Sequence, residues 1–369
     1  MMEAPGSKEN VEHYHAEKTN LVGKLLGSGN RSCPFQLRAG KAGGARASWR
    51  IHAGWHAPRG SKRRDARFES GFECSLRYIA RGPDEFTGEY GPHENAAAPD
   101  LIWAVPFEGW LLAYHPRLAD SNGNTIPGTT LHHTAFWNEN RADFLCPNKE
   151  EHIFGAGSEM TDWAELPGYG YHVQKGDKIR IETMMYNPTA TSYDKVYLEV
   201  QIPFVDANGP SVGKMIRNVY PAWMDVASCG NSGYDLPAGK STKSGTVTVK
   251  YDGVLLGVGG HLHDYGRQVV LQDSSRKETV ATLDTKVDGE GRLKSVPVKL
   301  FLQEGGYKFS ANDVLKISAA YNNPTGKLLR DGAMGIAVGY FVPANDKAMA
   351  ALRRKAKPAH DMAAMSHDH

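Results

Sequence analysis

The chain has 369 residues and a formal net charge of +2, so its overall charge singles out no polyanionic or membrane partner. With 40 Gly, 20 Pro and little helical periodicity, the composition favours strands and turns over a helical architecture. No apolar run reaches the ~18 residues that a transmembrane helix needs, so no transmembrane segment is expected.

Residues 1–95 are expected to form a poorly ordered extension. Between positions 18 and 64 there are 11 Lys or Arg and no Asp or Glu, and the stretch 37–67 is basic and Gly-rich. It lacks the interleaved aromatic pattern of a nucleic-acid binder, so no nucleic-acid partner is expected. The first thirty residues show no hydrophobic signal core. Either the protein is cytosolic or the natural start lies elsewhere, and the composition of residues 1–70, which differs so much from the remainder, favours the second.

Strand signals begin with Ile102-Trp103-Ala104-Val105 and Trp110-Leu111-Leu112-Ala113-Tyr114. Turn clusters follow at Asp120-Ser121-Asn122-Gly123-Asn124 and Ile126-Pro127-Gly128. An internal repeat then organises the chain. Residues 176–189 match residues 312–325 without a gap, with Asp177, Ile181, Asn187, Pro188 and Thr189 recurring identically. The next strand continues the match, pairing Leu198, Val200, Ile202 and Phe204 with Met334, Ile336, Val338 and Tyr340. The expected fold is therefore all-β: two tandem jelly-roll-like β-sandwich domains, at 96–205 and 206–345, followed by a His/Met-rich tail at 346–369. Two unrelated β domains sharing a common turn are the alternative.

None of the four cysteines forms a Cys-x-x-Cys pair, which argues against a zinc knuckle. Cys146 and Cys229 fall within the folded region and are a candidate disulfide, although spacing does not fix the pairing.

Five constellations carry possible chemistry. In Gly260-His261-Leu262-His263, alternation along a strand puts both imidazoles on one face, as two ligands of one metal require; two solvent-facing histidines are the alternative. Met334 lies between Ala333 and Gly335 at the start of a strand, where its thioether is less packed than a core Met, and a thioether suits copper. His132 and His133 are adjacent, so both can reach one metal only at a twist or bulge. Met184 shares the polar face of its strand with Arg180, Glu182 and Tyr186, opposite Ile179, Ile181 and Met185. In the tail, His360, Met362, Met365, His367 and His369 form an interleaved set of the copper-scavenging kind. Asp264 and Glu182 are candidate acids near these metals. No Gly-x-Ser-x-Gly elbow, phosphate loop or dinucleotide fingerprint occurs.

The order His-His, Asn-Pro strand, His-x-His, late Met resembles the copper type II, ascorbate-dependent monooxygenases, such as peptidylglycine alpha-hydroxylating and dopamine beta-monooxygenase. The stretches Leu131-His132-His133, Phe154-Gly155-Ala156-Gly157-Ser158-Glu159, Gly260-His261-Leu262-His263 and Gly332-Ala333-Met334-Gly335 look like the stress-up-regulated nodulin-like branch. The resemblance covers about residues 100–345. It implies an oxygen-activating copper on His261, His263 and Met334. It implies a second, electron-transfer copper on His132 and His133, across a solvent-filled cleft. Met184 stands where that family has its third His. The expected activity is a copper-dependent oxidoreductase, monooxygenase-like, using one or two coppers and a reductant such as ascorbate on a small-molecule substrate. A non-catalytic copper protein, exchanging with a copper donor, is the alternative. Asp264 and Tyr265 are expected to orient the His rings. An oxidising compartment, secreted or periplasmic, is expected from the copper chemistry and the candidate disulfide.

Overall fold

A computed structural model describes residues 96–354 apart from 121, 160–161, 188–195 and 210–215, together with the backbone of strands Ser32–Cys33, Gln36–Ala39, Trp49–His52 and Phe72–Ala80. The protein is all-β. Its strands build two sandwiches, each made of two largely antiparallel sheets.

In the N-terminal sandwich one sheet has the order β2–β8–β5–β6, from β2 (Ala96–Ala104), β8 (Lys178–Met185), β5 (Leu131–Ala142) and β6 (Glu150–Gly157). The opposing sheet centres on β9 (Val196–Asp206). It pairs with β1 (Phe72–Ala80), β3 (Gly109–Leu111) and β4 (His115–Ala119), and β7 (Tyr169–Val173) joins through β3. This sheet thus takes in a strand that precedes the expected boundary at residue 96. Strict alternation places the core: Val196, Leu198, Val200, Ile202 and Phe204 face inward from β9, and Ile179, Ile181 and Met185 from β8.

The C-terminal sandwich repeats the plan. One sheet runs β11–β15–β13–β14, from β11 (Gly239–Thr248), β15 (Val314–Asn323), β13 (Gly266–Asp273) and β14 (Glu278–Asp284). The other joins β10 (Tyr220–Asp225), β17 (Gly335–Pro343) and β12 (Gly253–Leu262). The repeat seen in the sequence is therefore structural. Its first strand, β8 or β15, is central in one sheet, and its second, β9 or β17, lies in the opposing one.

β12 and β17 are buried on both faces because their sheet lies between its own partner and the N-terminal sandwich. Leu255, Val258, Ala337 and Phe341 enter the C-terminal core, whereas Leu256, Ile336, Val338 and Val342 enter the N-terminal one. In return, Phe144 from the loop between β5 and β6 stacks on Phe341, with ring centres 4.9 Å apart. The Cys146–Cys229 disulfide ties the same loop to the other sandwich, with a Cα–Cα distance of 5.6 Å. Beyond β17 the short helix Asp346–Leu352 buries Met349 and Leu352, and Arg353 pairs with the buried Asp177 at 2.7 Å. The expected tail boundary at 346 therefore falls within packed structure. The tail residues His360, Met362, Met365, His367 and His369 lie outside the described residues.

Candidate metal centre

The site forms where the outer face of the N-terminal sheet β2–β8–β5–β6 meets the C-terminal sandwich. Along β5 and β8 the register pairs Met184 with His133 and then Met185 with Leu131, leaving His132 as the extra residue of a β-bulge. That is the irregularity two adjacent histidines need to turn toward one point. Their ring centres are 4.9 Å apart. Met184 is the direct cross-strand neighbour of His133.

From the other side, the C-terminal end of β12 and the residue just past it deliver His261 and His263, with ring centres 5.6 Å apart. Met334 sits between β16 (Leu329–Ala333) and β17. The buried Tyr321 on β15 ties these ligand candidates together. Its hydroxyl accepts the backbone N–H of His263 at 3.0 Å and donates to the carbonyl of Met334 at 2.5 Å. His132 closes the circle, with its ring centre 4.8 Å from that of His263.

Glu159 fixes the orientation of His261. Its Oε1 lies 3.0 Å from His261 Nδ1, and it also accepts the backbone N–H of Gly157 at 3.0 Å. Burial disfavours the charge on Glu159, but the neighbouring His261 outweighs it and holds the carboxyl below its ordinary range. Likewise burial opposes a charge on His261, and the Glu159 carboxylate more than offsets it, raising the imidazole. His133 lacks such a partner: burial, reinforced by His132 and His261, pushes it down to about 3 and keeps it neutral.

These residues fit a copper ion. His261 Nε2 and His133 Nδ1 are buried without a hydrogen-bond partner, which ordinarily costs about 1–3 kcal/mol each. With metal–nitrogen bonds of about 2 Å, two imidazoles sharing one ion have ring centres roughly 4.5–6 Å apart, the spacing seen here. Among the described residues no three His, Cys, Asp or Glu side chains converge as a ready-made cage. The donors gathered here combine imidazole with thioether, a set that favours copper over harder ions.

All six sequence-predicted ligand candidates, His132, His133, Met184, His261, His263 and Met334, line one cavity of about 400 Å³. The resemblance implied two groups on opposite sides of an open cleft. The structure instead brings His132 and His263 into ring contact. Asp264 lines the same cavity, and its carboxylate accepts the Leu293 N–H at 2.8 Å. Tyr265 also lines this cavity. Glu182 is engaged by Arg180 and by the indole of Trp137. Sequence reasoning missed Glu159, Tyr321 and His152. Of these, Glu159 stood inside a quoted motif, two residues after a glycine whose missing side chain leaves room for His261.

The chain is 32% identical over 161 residues to the probable copper-dependent oxygenase M1 of Phoma sp., covering 40% of each protein. It is 30% identical over 163 residues to the probable copper-dependent oxygenase clz3 of Cochliobolus lunatus, covering 39% of this chain and 48% of that one. The similarity is to copper-dependent oxygenases. The matched region spans less than half the length of either relative, and it does not extend the likeness to the peptidylglycine and dopamine monooxygenase fold or to the nodulin-like branch. No family model matches the chain. Among solved structures, peptide:N-glycanase F aligns with 73% of this chain and 96% of its own at 8% identity, with a TM-score of 0.35, too low to carry an argument.

Proposed function

We propose that this protein is a copper-dependent oxidoreductase of the monooxygenase kind, in which His261, His263 and Met334 hold the copper that meets dioxygen. His132, His133 and Met184 form the adjoining wall, so the reading favours one compact centre over two remote ones. The observation that carries it is the meeting of imidazoles from both sandwiches around bare, buried His261 Nε2 and His133 Nδ1. Bound copper supplies one-electron chemistry with dioxygen, and an external reductant such as ascorbate supplies electrons.

The chain's own groups prepare the site for this. Glu159 holds the Nδ1 side of His261, which leaves Nε2 as a donor. Burial keeps His133 unprotonated at neutral pH. Tyr321 locks the backbone of His263 to that of Met334, so the two ligands cannot drift apart independently. The disulfide between Cys146 and Cys229 suits an oxidising compartment, secreted or periplasmic.

The test is oxygen uptake by copper-loaded full-length protein with ascorbate, alongside copper stoichiometry, for wild type and Met334→Ala. Oxygen use above that of Met334→Ala supports the reading. Tight copper without oxygen use would replace it with copper handling, and no tight copper would remove both.

A further inference from the structure

A second, larger cavity of about 770 Å³ lies between the sandwiches, within the ~300–1,000 Å³ typical of small-molecule sites. His133, His261 and Met334 line both this cavity and the smaller one, so the candidate copper ligands form a partition between them. The larger cavity has an aromatic and aliphatic wall. Trp163 stacks on Trp223 with ring centres 5.9 Å apart, and Tyr340 meets the edge of Trp163 at 5.4 Å. Val298 and Leu300, large apolar side chains left exposed (51% and 53%), belong to the same lining. Exposed apolar surface beside a cavity is what a bound ligand covers.

Charge narrows the ligand further. Asp162 and Glu165 line the cavity, while the one Lys or Arg of its lining, Lys149, donates to the Gly230 carbonyl at 2.5 Å. Among the described residues of that lining, Asp143, Asp162, Glu165 and Asp225 outnumber Lys149, so the charge of the wall disfavours an anionic ligand.

We propose that this cavity is the substrate pocket and that it takes a neutral small molecule carrying an aromatic or other flat apolar group. What happens at the shared wall rests on the copper reading above; binding itself needs no metal. The probe is 2-naphthol, titrated calorimetrically into metal-free, disulfide-intact full-length protein, with 2-naphthoate as its anionic counterpart at neutral pH. One-to-one binding of 2-naphthol is expected, with 2-naphthoate weaker by about ten-fold or more. Leu300→Trp, which fills the pocket from its exposed edge, should weaken 2-naphthol by about ten-fold. Thr248→Trp, at an exposed site on β11 outside the cavity's lining, should leave it unchanged. Absence of saturable binding, or equal affinity for the two probes, overturns the proposal. So does binding that a folded Leu300→Trp does not affect. If Leu300→Trp fails to fold, the comparison of the two probes on wild type decides. Because copper takes no part in this titration, its outcome is independent of whether the copper reading survives.

Discussion

A Cβ placed on Gly157 would lie 2.6 Å from Cε1 of His261, so the approach of the two sandwiches at the centre depends on the absence of one side chain. The same Cβ would lie 2.5 Å from Glu159 Oε2. Neither neighbour is free to move, since His261 and Glu159 are buried against each other. Gly157→Ala should therefore cost about 1–3 kcal/mol through overpacking and lower copper affinity at the same time. Denaturant unfolding of metal-free protein and a chelator competition measure the two effects separately. An unchanged copper affinity would mean that His261 is not a ligand.

Glu159→Gln keeps the shape of the side chain and removes its charge. Outer carboxylates that hold a ligating histidine are typically worth about 10–100-fold in metal affinity, and a loss in that range is expected here. Copper(I) competition against a chelator of known affinity reads it directly, and loss below about two-fold would assign Glu159 a purely structural role.

Tyr321→Phe removes the hydroxyl that accepts from His263 and donates to Met334. The partly buried His263 N–H and Met334 carbonyl are then left without it, at an expected cost of about 1–3 kcal/mol in urea unfolding. Full stability in this variant would show that the two backbones are held by other means.

His152 supplies a pH dependence. Its ring is stacked between Trp137 and Trp223, with centres 4.1 and 3.5 Å away, and burial holds its pKa well below the ordinary range. The unfolded chain takes up the proton near pH ~6.5, so below that pH the unfolded state binds more protons than the folded one. The contribution of neutral His152 is thus complete above that pH and is lost as pH falls. His152→Phe should lose less Tm than wild type between about pH 7 and pH 5, by at least about 2 °C. Parallel melting curves for the two proteins would contradict this.

Much of the fold was legible because it rests on local period. Alternation in 178–185 gave the inward face of Ile179, Ile181 and Met185, and the gapless repeat gave matching strands in both sandwiches. The ligand candidates were legible for the same reason: His-x-His on one strand face, and a histidine pair needing a bulge, are statements about neighbours in sequence. What escaped depends on distance in sequence. Glu159 meets His261 across 102 residues, and nothing local marks that pairing. The gathering of His132 and His263 around a single cavity depends on how the sandwiches dock. That docking is set by Leu256, Ile336 and Val338 pointing out of their own sheet into the neighbouring core. The strand pattern of β12 and β17 carries the signal in its nearly continuous burial, which reads equally well as an ordinary interior strand.

The central claim is that Met334, His261 and His263 share one copper. X-ray absorption of the copper(I)-loaded full-length protein measures this. The expected spectrum shows a sulfur scatterer at bonding distance together with imidazole scattering, the sulfur disappearing in Met334→Ala and the imidazole contribution falling in His261→Ala. A spectrum without sulfur in wild type, or one unchanged by Met334→Ala, would contradict it.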